Sequence, residues 1–493
     1  MMSSEWACRA RGGGATMTTV DPHLLDGTGD SAAGGWRRRD ALGALLGAAT
    51  LPLMPRASAA LPRVGIVGAG MAGVTLAWLL DGEFEVTLFE AQDSIGGNVK
   101  SVDLAVGGEP FIVDAGAQFF HPAPYPTYVK LLEFLGLYPP ATAESHTFPA
   151  SITVAAPGET TPRFVSPIVP TRLWPALVSW NQPALQAFAT AFFVARAREL
   201  AHAPWGLTLG DWLPTLGLPQ AQWEGAILPW AASLFTGDIE QARNYSARAA
   251  MIFAAKALPA NPADPLLYYV LERGMGEALT RMAAQFTTVQ VLSGVPVTGI
   301  SRVSPVGFTV HGGNGLDVAV DHLVMAASGP PTLALLQGVS GTVGQRAALA
   351  GIEFADATLM LHTDPVYAPG SAFFWSFLNC AVEGGFCEAS MWLANVLTPP
   401  AQGSPPNLWK SWVTHRTQLP AQVLHEASYR HLVPTPASLL AQTALRARQG
   451  VGGIWFAGGY TLPYDSQETA LLSAVSVALG LNPGGARLRA LQG

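Results

Sequence analysis

Charge is scarce in this sequence. Charged side chains account for 12% of its 493 residues and hydrophobic ones for 49%. Disordered chains show the reverse balance, so a folded core is expected over most of the length. Lysine is scarcer still, with four in the whole chain, and no stripe of Lys and Arg runs through it. The 27 basic and 34 acidic side chains leave a formal net charge of −7. Nucleic acid is not an expected partner, because a phosphate backbone is held by clustered cations. Three cysteines, Cys8, Cys380 and Cys387, are too few for a disulfide scaffold. The last two either pair after export or stay as buried thiols. HEXXH motifs, CxxC pairs and nucleophile elbows are missing, and no metal site is expected. No apolar run reaches the roughly 18–20 residues of a transmembrane helix, so any contact with a bilayer is peripheral.

What is present begins with a leader. Residues 1–35 are polar and Gly-rich, without helical or strand period. Arg37-Arg38-Arg39 then precedes an apolar run from Ala41 to Met54, and Ala57-Ser58-Ala59 closes it with small residues. A basic region, a short apolar region and an A-x-A site compose an export signal. The paired arginines give it the form of a twin-arginine signal, which places the mature protein in the periplasm or outside the cell. Met17 is an alternative start.

The mature part opens with an apolar strand, Arg63-Val64-Gly65-Ile66-Val67. Gly68-Ala69-Gly70-Met71-Ala72-Gly73 follows, then a helical stretch to Leu80, a strand to Phe89, and Glu90. Strand, G-x-G-x-x-G, helix, strand and acid form the dinucleotide fingerprint. Gly68 permits the tight turn, Gly70 lets backbone approach a pyrophosphate, and Gly73 lets the helix pack on the strand. The first helical amides, at Met71 and Ala72, face the phosphates. Glu90 accepts from a ribose hydroxyl, with Ala91 beside it. A nicotinamide cosubstrate has no maintained pool outside the membrane, whereas a tightly held flavin can be loaded before export.

Further segments give the sequence a family likeness. Gly96-Gly97-Asn98 follows the acid, and Val113-Asp114-Ala115-Gly116-Ala117-Gln118 comes after a hairpin. Gly274-Met275-Gly276 with Leu279, Pro296-Val297-Thr298, and Phe456-Ala457-Gly458-Gly459 ahead of Glu468-Thr469-Ala470 complete the set. Together they resemble the FAD-binding flavin amine oxidase superfamily over nearly the whole mature chain. That resemblance implies FAD, with Gly96 and Gly97 along the pyrophosphate and Val297 at the adenine. Gly458 and Gly459 would lie at the ribityl half, and the helix start at Glu468, Thr469 and Ala470 at the flavin ring. Asn98 stands where many members carry Arg, and Gly459 where they carry an acid. No cysteine follows Cys387, so the covalent flavin link of monoamine oxidases is excluded and FAD is expected to be non-covalent. The strand that bears a site lysine in relatives corresponds to Ala355–Leu361, which has none. Aromatic residues flank the flavin in the family, and Tyr429 and Tyr464, with Tyr460 as an alternative, match those places.

A third likeness joins Leu361-His362-Thr363-Asp364-Pro365 and Trp375-Ser376-Phe377-Leu378-Asn379 to a bacterial subgroup, some of whose relatives act on fatty acyl chains. His362 beside Asp364 is then either a proton-transfer pair near substrate or a hydrogen-bonded strand-end turn. Phe188, Phe192, Phe193 and Val194 form a broad apolar surface that suits a cap-domain core, a substrate lid or a membrane-touching face.

The expected fold is α/β, with a discontinuous Rossmann-like FAD domain and a substrate domain of mixed sheet plus helices. The expected FAD segments are 61–144, 266–335 and 431–493, the substrate segments 145–265 and 336–430, and the leader 1–60. The expected activity is hydride transfer from a small hydrophobic amine or amino acid to the flavin, with oxygen or a quinone as acceptor. A lipid desaturase or isomerase, or a non-catalytic FAD-binding protein, are the alternatives.

Overall fold

Five parallel strands make the sheet expected from the fingerprint. Arg63–Val67 lies at its centre, between Glu85–Phe89 and His322–Met325. Val289–Leu292 closes one edge and Ile454–Phe456 the other. The computed structural model describes residues 60–139, 143–166, 183–261, 264–305, 307–398 and 406–492. The expected twin-arginine leader falls outside them.

A parallel sheet is covered on both faces, which is why its strands read as unbroken apolar runs. Val64, Ile66, Leu88, Leu323, Val324 and Phe456 are fully or almost fully buried. The Met71–Leu80 helix is buried at every position. It packs beneath the Gln467–Leu481 helix, whose Ala474 and Ala478 allow close approach. The opposite face carries a three-stranded antiparallel sheet, Val297–Arg302, Phe308–Gly312 and Asp317–Val320.

A second sheet has seven strands, in the order Val423–Leu432, Phe354–His362, Trp409–Trp412, Phe386–Trp392, Leu378–Glu383, Ile152–Ala155, Phe164–Val165. It is antiparallel except where Leu378–Glu383 runs beside Ile152–Ala155. Helices between 183 and 257 share its core. Phe188 and Phe192 are buried there, and Phe192 meets Trp212 at 5.2 Å, so this apolar surface turns inward. The boundary between the halves differs from the expected one. Helices Gly329–Leu336 and Val343–Ala350 pack in the core of the dinucleotide half, and the second sheet takes over only at Phe354. Their apolar faces carry no signal that tells one sheet's cover from another's. No described helix is long and apolar enough to cross a membrane.

Candidate active site

The glycine turn is built by steric necessity. Gly68 has φ +109°, and a Cβ on it would come within 2.7 Å of Ala327 N. A Cβ on Gly73 would drive into Gly68 O. Gly70 is different: the nearest atoms to a Cβ there are Gly97 Cα at 3.8 Å and Gly96 O at 3.9 Å. Its open side is a cavity of about 570 Å³, within the range that takes small ligands and cofactors. Met71, Ala72, Glu90, Ala91, Gly97, Asn98 and Val297 line this cavity as well. Val74 N donates to Gly70 O at 3.0 Å, the first bond of the helix. The amides before it are left for a ligand, as at any helix start. Gly96 N donates to Ala69 O at 2.9 Å, holding the second glycine pair against the first turn. Glu90 is fixed by two backbone donors, Ala69 N at 2.8 Å and Gln92 N at 2.9 Å.

The far wall comes from the C-terminal motif. Gly458, Gly459, Tyr460, Asp465, Ser466, Gln467 and Ala470 line it. Gly458 N donates to Ser473 Oγ at 2.7 Å. Ser466 and Thr469 cap the Gln467–Leu481 helix reciprocally. Of the three residues expected at the flavin, only Ala470 lines the cavity. Thr469 is spent in the cap. Glu468 is buried, and its carboxylate accepts from Thr127 N at 3.1 Å and Tyr128 N at 2.7 Å, capping the Pro126–Phe134 helix.

Between these walls stands an aromatic group. Trp412 meets Tyr429 edge-on at 5.8 Å and His431 at 4.8 Å, and all three line the cavity. The Tyr429 hydroxyl is buried and has no hydrogen-bond partner among the described residues. Burial and the nearby Asp114 push it up to about 12, so it stays a neutral donor. Burial, helped by Lys410, pushes His431 down to about 4, so its ring is neutral. Tyr464 does not join this group. It is buried outside the lining, where burial raises its hydroxyl far above the ordinary value. Tyr460 is in the lining but gives its hydroxyl to Met325 O at 3.1 Å.

A lysine is present after all. Lys410 sits on Trp409–Trp412, paired with Leu361 of the very strand expected to carry none. It is 3% exposed, and its Nζ donates to Gly116 O at 2.5 Å and Gln118 Oε1 at 3.2 Å. Gly116 lines the cavity, so the ammonium stands directly behind that wall. Burial lowers Lys410 to about 8, against the pull of Asp114. Burial raises Asp114, although Ser101 Oγ at 2.5 Å and Met275 N at 2.9 Å donate to it. The signal for Lys410 was its rarity: one of four lysines, set between tryptophans in Leu408-Trp409-Lys410-Ser411-Trp412.

His362 lies in neither cavity lining. It is fully buried in the second sheet, with Nδ1 3.0 Å from Asp364 and Nε2 2.8 Å from Ser411 Oγ. Both ring nitrogens are engaged, and burial holds its pKa below the ordinary histidine value. This is the strand-end arrangement, with no access to a ligand in these cavities.

A second cavity of about 170 Å³ borders the first, and Leu234 lines both. Its walls include Phe119, Phe193, Trp230, Phe253, Tyr268 and Phe377. Cys380 and Cys387 are free and buried away from both linings. Among the described residues, no cluster of His, Cys, Asp and Glu could hold a metal ion.

The family profile described as flavin containing amine oxidoreductase matches residues 71–357, more than half of the sequence. The chain belongs to that family. Membership brings FAD as the cofactor, and the glycine cradle, the amide-fixed Glu90 and the size of the cavity fit it. This amine oxidoreductase family member is similar in fold to several solved structures. Putrescine oxidase, in its wild-type form bound to putrescine, has 16% identity and a TM-score of 0.59, over 85% of this chain and 99% of that one. Cyclohexylamine oxidase from Brevibacterium oxydans IH-35A has 16% identity and a TM-score of 0.58, over 85% and 99%. A CLA-producing fatty acid isomerase from P. acnes has 14% identity and a TM-score of 0.58, over 85% and 98%. At such identities the likeness is of fold. No curated protein sequence matches the chain. The protein is a flavin-dependent oxidoreductase.

Proposed function

We propose that this flavoenzyme oxidises a hydrophobic amine or amino acid, taken in its neutral form. FAD held in the cavity would supply the acceptor for a hydride equivalent, with oxygen or a quinone as the final acceptor of its electrons. The observation that carries the reading is the uncharged aromatic group of Trp412, Tyr429 and His431, with Lys410 behind Gly116. Aromatic faces exclude water and hold an uncharged amine against the flavin. An amine must lose its ammonium proton before its carbon can give up hydride, and Lys410, depressed toward neutrality behind Gly116, is suited to take that proton through a water as the amine enters. Phe119, Phe253 and Tyr268 of the adjoining cavity are suited to the substrate's apolar part.

The same apolar cavity also supports a second reading, in which an acyl or isoprenoid chain is desaturated or isomerised. Anaerobic mixing with amines, amino acids and unsaturated lipids separates the two. Flavin bleaching by amines, with peroxide released on admitting air, is the expected result. Turnover of lipids alone would replace the first reading by the second. Export by the twin-arginine route, with FAD loaded beforehand, is part of this proposal.

A further inference from the structure

Asp465 fills the room left by a missing side chain. A Cβ built on Gly459 would run into Asp465 Oδ1, its nearest neighbour. Both residues line the larger cavity. Asp465 is exposed, and it lines this cavity; the protein packed around the opening pushes its carboxyl up to about 6. No described residue donates a hydrogen bond or brings a cation to it.

The loop that carries this acid is pinned. Gln442, fully buried, donates Nε2 to Tyr460 O at 3.0 Å and to Leu462 O at 2.6 Å. Arg446 Nη1 donates to Thr461 O at 2.8 Å. Thr461 N and Oγ1 return to Gly458 O at 3.0 and 2.9 Å. The carboxylate is therefore held at the glycine turn by the fold around it. A carboxylate facing a cavity loses its water donors when a ligand fills that cavity, so the ligand must replace them. The ligand of this cavity carries such donors in the hydroxyls of its polyol chain.

We infer that Asp465 is a cofactor-binding acid, accepting hydrogen bonds from the ribityl hydroxyls of FAD, and that residue 459 is glycine to make room for it. The inference rests on the assignment of the cavity to FAD.

Titration of apoprotein with FAD, followed by fluorescence quenching, tests it. Asp465→Ala is expected to weaken FAD about tenfold or more, the usual worth of hydrogen bonds to a charged group. Asp465→Asn keeps the shape of the loop and should still weaken binding. Gly459→Ala puts a methyl where the carboxylate lies and should weaken it comparably, with Asp465 intact. Gly459→Asp combined with Asp465→Ala should recover most of the loss. Affinity for ADP, which has no ribityl chain, should be unchanged in all four. Parental FAD affinity in Asp465→Ala and Gly459→Ala would overturn the inference. If KM for an amine rose in those variants instead, Asp465 would be a substrate acid. A parent that binds no FAD would sink the cofactor assignment itself, and this inference with it.

Discussion

Lys410 Nζ donates to Gly116 O across 2.5 Å, tying the substrate-side sheet to the loop that walls the flavin cavity. Lys410→Met should slow flavin reduction by about tenfold or more, as loss of a general base does, with FAD content unchanged. The pH dependence has a definite sign. Burial lowers Lys410 to about 8, so its neutral form grows as pH rises through that value. Stopped-flow reduction should accelerate across about pH 7–9 in the parent, whereas the variant should keep only the rise set by the amine's own deprotonation. Parallel pH profiles for the two proteins would remove Lys410 from the chemistry.

Two glycines in one motif should fail differently. Purified parent should be yellow and release its flavin on acid precipitation. Gly70→Val should fold normally yet lack FAD, because its side chain points into the cavity. Gly73→Val should not fold, since its Cβ meets Gly68 O within the packed turn. Circular dichroism with flavin content per polypeptide checks both. A colourless but folded Gly73→Val protein would show that the helix can shift away from the strand.

The aromatic wall predicts an unequal pair. Tyr429→Ala removes a lining contact and should slow flavin reduction about two- to tenfold at unchanged FAD content. Tyr464→Ala and His362→Ala act away from the lining and should instead lower the melting temperature. The His362 change strands the Ser411 and Asp364 bonds in a buried sheet, a loss of about 1–3 kcal/mol. Slower reduction in His362→Ala without a stability change would return His362 to the site.

Replacing Arg38 and Arg39 by lysine keeps the charge but should leave FAD-loaded precursor in the cytoplasm, because a receptor reads the paired arginines. Fractionation with flavin fluorescence measures it. Equal periplasmic yield from both forms would refute twin-arginine export.

The parts of the site legible in the sequence were those whose geometry is local. Gly68, Gly70, Gly73 and Glu90 belong to one strand–turn–helix–strand unit, and each has a backbone reason to be what it is. Lys410 was hidden because its position depends on strand pairing, Leu361 against Lys410, which a neighbour in sequence cannot reveal. His362 and Asp364 looked like a reactive pair because they are adjacent. Ser411, far along the chain, takes the other ring nitrogen and turns the pair into sheet structure. Glu468 sits where a helix start invites an anion-binding role. Its real partners are the amides of Thr127 and Tyr128, on a helix that only tertiary packing brings near.

The central sheet sets an order of events for the cell. Its strands Arg63–Val67 and Ile454–Phe456 are the two farthest apart in sequence, and both walls of the cavity follow them. A ribosome partway through translation has made the pyrophosphate turn but not Gly458 or Ala470. FAD therefore has no complete receptor until those two residues have been made, and a nascent chain must hold a half-built parallel sheet in the meantime. Such pairings form slowly and leave edges open to aggregation. Flavin supply once those residues are made, rather than translation rate, should then govern how much of the protein survives.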